Sequence, residues 1–157
     1  AHPPVDDDAG HQANWLRKHH QVQAARRRGP VFCDRDWLSA LAYAHSAADP
    51  SLLDRRARWA LGCLERGDLV VGEVYVVFQL DPALSLDRRA NRLTLGHPWS
   101  SLTGLTRLAA FYDDPATAVG SVCPELAARL RTATWHPFPA PSIEQAARFL
   151  RDLVGQR

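Results

Sequence analysis

The sequence lacks several features on which whole classes of protein depend. It contains no methionine and only three cysteines, and the irregular spacing of Cys33, Cys63 and Cys123 fits neither a disulfide framework nor a zinc site. The longest apolar run, Val74 to Phe78, is far shorter than the roughly 18 residues that a membrane span needs. These absences predict a protein with reduced thiols in the cytoplasm and without a membrane-spanning helix.

The sequence also has little excess of charge of either sign. A formal net charge of +2 over 157 residues is too small to attract nucleic acid or an anionic membrane, so neither is expected as a partner. Lys18 is the only lysine, and the other eighteen basic residues are arginine. Arginine binds phosphate or carboxylate through two parallel hydrogen bonds, although codon bias in a GC-rich genome accounts for most of such an excess.

The apolar pattern, with 46% hydrophobic residues, indicates one domain over residues 1–157 in which strands alternate with helices. Strands are predicted at Val31–Cys33, Val74–Phe78 and Thr132–Trp135, and helices over 11–28, 38–47, 53–66, 82–92, 102–112, after Pro124 and from Ser142 onward. Strands alternating with helices of this length predict an α/β fold, a doubly wound parallel sheet with helices on both faces.

Charged residues directly follow the first predicted strand. Asp34, Arg35 and Asp36 come straight after Val31–Cys33, and charges in that position usually lie at the carboxyl edge of a sheet, where α/β proteins bind ligands. A helix cap with a surface ion pair is the structural alternative for such a segment. It is the first candidate for a functional site.

The segment from Val31 to Tyr43, an apolar run followed by Asp-Arg, a serine and Leu-Ala-Tyr, resembles the thymidylate-kinase branch of the P-loop nucleotide kinases. A second match runs from Val76 to Pro82 and continues into Leu86-Asp87-Arg88 and Arg92. A weaker third match comprises Leu105–Leu108 with Phe111 and Tyr112. Together the motifs cover nearly the whole chain from about residue 11 onward.

The resemblance implies a P-loop kinase-like fold and an ATP- and Mg²⁺-dependent kinase. Its acceptor would be a small molecule, either a nucleotide, a nucleoside or another hydroxyl metabolite, and a homodimer is left open. The expected site residues form a catalytic pair, an acceptor-binding group and a pair of lid arginines, with no residue assigned as a metal ligand. In that order they are Asp34 and Arg35; Asp36, Trp37, Ser39 and Tyr43; and Arg88 and Arg92.

These residue types suit phosphoryl transfer, which needs positioning and positive charge more than covalent help from the protein. Asp34 would orient the attacking oxygen or the magnesium shell, and Arg35 would hold a charged group of the acceptor through two hydrogen bonds. Arg88 and Arg92 share one helix face and would close on the donor phosphates. The loop 93–101, which contains glycine, proline and serines, is expected to be a mobile lid.

Each assignment has an alternative. Trp37 and Tyr43 are also typical core aromatics, and Arg88 and Arg92 are also typical of a solvated helix face. For the whole protein, the alternatives are a catalytically inactive nucleotide-binding or regulatory module of the same fold and an interaction domain that keeps only the fold.

The phosphate-binding loop of the family is missing from this sequence. No G-x-x-x-x-G-K-[ST] motif occurs, and Lys18 has no glycine beside it. In the family, the strand before that loop lies between the two strands predicted at Val31–Cys33 and Val74–Phe78. We therefore expect an additional N-terminal strand–loop–helix–strand unit, in this chain or from another, and a gap of about 9–10 Å between those two strands.

Overall fold

The computed structural model describes residues 8–89, 96–139 and 142–155. Over these residues the chain forms eight α-helices, one 3₁₀ turn and two strands. In chain order the elements are α1 (Asp8–Arg26), α2 (Leu38–Ser46), α3 (Pro50–Arg66), β1 (Val74–Gln79), α4 (Pro82–Arg89), the 3₁₀ turn Pro98–Ser100, α5 (Leu102–Asp113), α6 (Pro115–Gly120), α7 (Pro124–Leu130), β2 (Thr134–Pro139) and α8 (Ile143–Gly155).

The fold is mostly helical, and the predicted doubly wound sheet of P-loop kinase type is wrong. Over the described ranges β1 and β2 form a sheet of two parallel strands. The segment Val31–Cys33 is irregular rather than a strand, and its Phe32 side chain is 59% exposed. An apolar run becomes a strand only where another backbone pairs with its N–H and C=O groups, and none of the described residues does so here.

The expected gap between two strands consequently has no counterpart in the described part of the chain. Only one of the two flanking strands, β1, forms, and its paired neighbour is β2. The expected intervening strand is likewise not among the described residues.

Two helices begin at the same dipeptide. The Asp49 carboxylate accepts a hydrogen bond from Leu52 N at the start of α3, and Asp114 accepts one from Thr117 N at the start of α6. A proline follows each aspartate and occupies the first helical position, where its missing N–H costs nothing. The predicted break at Asp49-Pro50 is therefore also the beginning of the next helix.

The hydrophobic core lies among α2, α3, α5, α6 and α7. The spacing of apolar residues predicts one buried stripe on α3; Leu53, Ala57, Ala60 and Leu64 are indeed buried, and Leu61, the fifth residue of the stripe, is half-buried. The largest fully buried hydrophobic side chains are Phe111, Leu38, Leu41, Leu69, Leu126 and Leu130. Among the described residues, no helix is both long and apolar enough to cross a membrane.

The sheet packs between this core and α8. Tyr75 of β1 stacks on Trp135 of β2 with ring centroids 4.3 Å apart, and both rings contact the core. Phe138 points to the opposite face, where its ring centroid lies 4.6 Å from that of Phe149 in α8. α8 begins with a capping box of the Ser-x-x-Gln type: Ser142 N donates to the Gln145 side-chain oxygen, and Gln145 N donates to the Ser142 hydroxyl.

Candidate functional site

A cleft of about 410 Å³ opens between the end of α2 and the segment that leads into α5. Tyr43 and Ser46 line it from α2, and Pro98 and Ser101 line it from the opposite side. Arg107 of α5 completes the lining with a cationic side chain. The cleft therefore combines an aromatic ring, hydroxyl groups and positive charge.

The segment 96–101 is folded onto α2. The Trp99 indole N–H donates to the Ser46 hydroxyl over 3.0 Å, and that hydroxyl donates to the Tyr43 carbonyl over 2.8 Å. Within the segment, Trp99 N donates to Nδ1 of His97. These contacts count against the predicted mobile lid for residues 96–101, and residues 93–95 lie outside the described ones.

A glycine lets α5 begin directly against this segment. A Cβ atom at Gly104 would lie 1.8 Å from the carbonyl oxygen of Pro98, a distance that no side chain tolerates. Gly104 N instead donates to the Ser101 hydroxyl, which caps the helix. The position of the cleft wall thus depends on the absence of a side chain at one residue.

The Tyr43 ring, which lines the cleft, is packed against two further aromatic rings, those of His97 and Trp99. The centroid of the Tyr43 ring lies 5.3 Å from that of His97 and 6.2 Å from that of Trp99, and the His97 and Trp99 centroids are 5.1 Å apart. All three pairs are edge-to-face, and all three residues are only half-buried. Such a cluster offers both ring faces and ring edges to a planar ligand.

Two arginines lie against these rings, and they differ in whether the guanidinium is already bound to other groups. The Arg56 guanidinium is 5.3 Å from the Tyr43 ring centroid, but it is bound to Asp8 and to the Ala40 carbonyl. The exposed Arg35 guanidinium lies 6.0 Å from the Trp99 ring centroid and forms no ion pair within the described residues. Of these two arginines, Arg35 is therefore the one that remains available to a ligand.

The turn at Asp34 and Arg35 is fixed by Lys18, the single lysine of the chain. Lys18 Nζ donates to the carbonyl oxygens of Asp34 at 3.0 Å and of Arg35 at 3.2 Å. Arg35 has a φ of 61°, a left-handed conformation that is uncommon for a residue other than glycine. The turn presents the side chains of both Asp34 and Arg35 to solvent.

Asp36 points inward, away from a ligand. Its carboxylate accepts hydrogen bonds from the Tyr75 hydroxyl at 2.9 Å and from Leu38 N at 3.0 Å. The Tyr75 hydroxyl also accepts from Gly72 N. Burial raises the pKa of Asp36, and these hydrogen bonds only partly offset that rise. In this structure Asp36 links α2 to β1, and its contact with an acceptor stays a prediction.

The remaining predicted residues are scattered. Trp37 is 3% exposed and its N–H donates to the Val70 carbonyl, so it is a core residue rather than a contact for a base. Ser39 lies beside the Tyr112 hydroxyl. Arg88 is an exposed residue of α4, and Arg92 lies outside the described residues. Of the eight predicted residues, Tyr43 lines the cleft, and Arg35, with Asp34 next to it in the chain, lies against the Trp99 ring that packs on Tyr43.

The sequence analysis missed three residues of this region. Trp99 and His97 lay in the segment taken for a lid, and Lys18 lay in a helix without any motif. The signal that pointed to Lys18 was its being the only lysine in an arginine-rich chain. Trp99 carried no local signal, since its role depends on a contact with α2 that spans 53 residues of sequence.

ATP and Mg²⁺ stay a prediction, and the described residues contain no preformed cluster of metal ligands. Magnesium is usually held by one or two carboxylates together with substrate phosphates, and Asp36 is already bonded to Tyr75 and Leu38. No group of three or more histidine, cysteine or acidic side chains comes together among the described residues. No catalytic step is therefore assigned to a bound metal or to a phosphate loop.

Comparison of the chain with family models, curated proteins and solved structures gave no match.

Proposed function

We propose that this cleft binds a small anionic acceptor with a planar ring, and that the chain serves phosphoryl transfer to that acceptor. The observation that supports the proposal is that the rings of His97 and Trp99 pack against Tyr43 at the cleft, with the Arg35 guanidinium 6.0 Å from the Trp99 ring centroid and without an ion pair among the described residues. A volume of about 410 Å³ suits a ligand of nucleotide size. The proposal covers a nucleotide acceptor and other phosphate-bearing or carboxylate-bearing ring compounds.

Each group has a chemical task in this proposal. Tyr43 contacts the planar ring together with Trp99, which packs on it, while Arg107 binds the anionic group inside the cleft and Arg35 binds it from the side of Trp99. Asp34, exposed beside Arg35, orients a hydroxyl of the acceptor and takes its proton as that oxygen bonds to the γ-phosphorus of ATP; the bond from the γ-phosphorus to the β–γ bridging oxygen breaks, and ADP leaves. Lys18 positions this pair through its bonds to the two carbonyls.

The donor in this proposal is ATP with Mg²⁺, as the resemblance implies, and the compartment is the cytoplasm. The three cysteines are free thiols, and Cys63 and Cys123 are buried, which suits a reducing compartment. A non-catalytic binding module is the second candidate, favoured by the absence of a glycine-rich phosphate loop from the sequence.

Tryptophan fluorescence titration tests the binding part. We expect a nucleoside monophosphate to change the emission saturably and its uncharged nucleoside to bind much more weakly. Arg35→Ala should weaken binding about 10-fold or more, because a hydrogen bond to a charged group contributes about 1.5–3 kcal/mol. Arg58→Ala, which removes an exposed arginine paired only with Asp54, is the matched control and should bind like the wild type.

Release of ADP from ATP and Mg²⁺ separates the two candidates. A kinase gives acceptor-dependent ADP release that Asp34→Asn lowers by about 10²–10⁴-fold, the range for a positioned acid–base group. A binding module gives saturable acceptor binding without turnover. Absence of both binding and turnover with every anionic ring compound would contradict the proposal.

A further inference from the structure

The backbone of β1 has an edge that no described residue uses. Thr134 N donates to the Glu73 carbonyl, which fixes the parallel register of β1 on β2. In a parallel ladder, alternate residues of a strand bond to the same neighbour, so residues 73, 75, 77 and 79 bond to β2. The N–H and C=O groups directed away from β2 are those of Val74, Val76 and Phe78.

The outer edge of β2 is closed to further pairing. Its outward-directed backbone positions are Trp135, Pro137 and Pro139 by the same alternation. Two of these three positions are prolines, which have no N–H to donate, and this is how natural sheets protect an edge. The outer edge of β1 keeps all three of its outward N–H groups. It can therefore pair with a further strand, which the outer edge of β2 cannot.

We propose that the outer edge of β1 pairs in antiparallel fashion with the same edge of a second copy of this chain. The three outward-directed residues are symmetric about Val76. A two-fold axis at that residue places Val76 opposite Val76 and Val74 opposite Phe78. Every outward N–H and C=O of these residues then finds a partner, and no bond to β2 is broken.

The side chains and the outermost edges fit the same arrangement. Phe78 is 51% exposed although it contacts Phe138, and the pairing would cover it with the Val74 position of the other copy. The resulting sheet has four strands, with the proline-bearing edge of β2 on each outer side. Because those edges do not accept another strand, the assembly closes as a dimer instead of growing into a fibre.

Amide hydrogen exchange followed by NMR, beside mass measurement by light scattering, tests the proposal directly. We expect the 17.5 kDa chain mass to double as the concentration rises. The amides of Val74, Val76 and Phe78 should gain protection in step with the dimer. The amides of Tyr75, Val77 and Gln79 are the internal control, since β2 protects them at every concentration.

Substitutions distinguish strand pairing at the outer edge of β1 from nonspecific hydrophobic association. Phe78→Lys should abolish the dimer, and Leu84→Lys, a matched change at another exposed apolar residue, should leave it intact. Val76→Pro should abolish the dimer and Val76→Thr should retain it, because only proline removes the outward N–H. A chain that stays monomeric at every concentration would overturn the proposal. So would a dimer without the alternating protection, or an edge that pairs only with an added apolar peptide.

Discussion

Asp36 illustrates how one buried carboxylate joins two parts of the molecule. It accepts hydrogen bonds from Leu38 N at the start of α2 and from the Tyr75 hydroxyl in β1. Burial disfavours the charged form, so the pKa of Asp36 lies above its ordinary value near 3.8. The folded state therefore holds the proton of Asp36 more tightly than the unfolded state does.

The pH dependence of stability should report this proton. Because the pKa is raised on folding, the contribution of Asp36 is most favourable below about pH 3.8 and is lost as the pH rises through the folded pKa. Between pH 3.8 and the folded pKa of Asp36, we expect the free energy of unfolding of the wild type to fall relative to that of Asp36→Asn. Above that pKa, the two free energies should change with pH in parallel. Urea unfolding of both proteins at a series of pH values measures the difference, and curves parallel throughout would contradict the account.

At the scale of elements, the contact between α5 and the Pro98 segment shapes one wall of the cleft. Gly104 makes that contact, since a Cβ there would meet the Pro98 carbonyl at 1.8 Å. Ser101 and His97 hold the same turn through hydrogen bonds to backbone N–H groups. The segment is therefore specified by close packing as well as by polar contacts.

Replacing two helical glycines by alanine should have opposite effects. Gly104→Ala forces α5 away from Pro98 and should lower the free energy of unfolding by about 1–3 kcal/mol, the usual cost of overpacking. Gly62→Ala, in the interior of α3, would meet only the flexible end of Arg66 at 3.4 Å. It should raise stability by about 0.5–1 kcal/mol. Equal effects of the two changes in urea unfolding would contradict the role given to Gly104.

The elements that the sequence predicted correctly share strong local signals. α3 has an apolar stripe and a closing Gly67 with φ of 77°, and α8 has its capping box. Val31–Cys33 failed because a short apolar run does not reveal whether another backbone will pair with it. The short helix α6 was missed although Asp114-Pro115 carries the same start signal as Asp49-Pro50.

At the scale of the whole molecule, the cluster of Arg35, Trp99 and Tyr43 beside the cleft brings together segments that are far apart in sequence. Arg35 comes from the turn before α2, Tyr43 from α2 itself, and Trp99 from the approach to α5. Sequence analysis found Arg35 and Tyr43 because they belong to one local motif. It could not place Trp99 beside them or remove Trp37 from the site, since both facts depend on tertiary packing.

The five indole N–H resonances in a ¹H–¹⁵N NMR spectrum test the proposed site most directly, because Trp99 packs on the Tyr43 ring at the cleft and the other four tryptophans belong to the core or pack against it. On titration with a nucleoside monophosphate, we expect the Trp99 resonance to shift saturably. Those of Trp37 and Trp135, bonded to the carbonyls of Val70 and Leu130, should stay in place. The shift should weaken in Arg35→Ala and persist in Arg58→Ala. An unmoved Trp99 resonance, or equal shifts in all the indoles, would contradict a ligand site at this cleft.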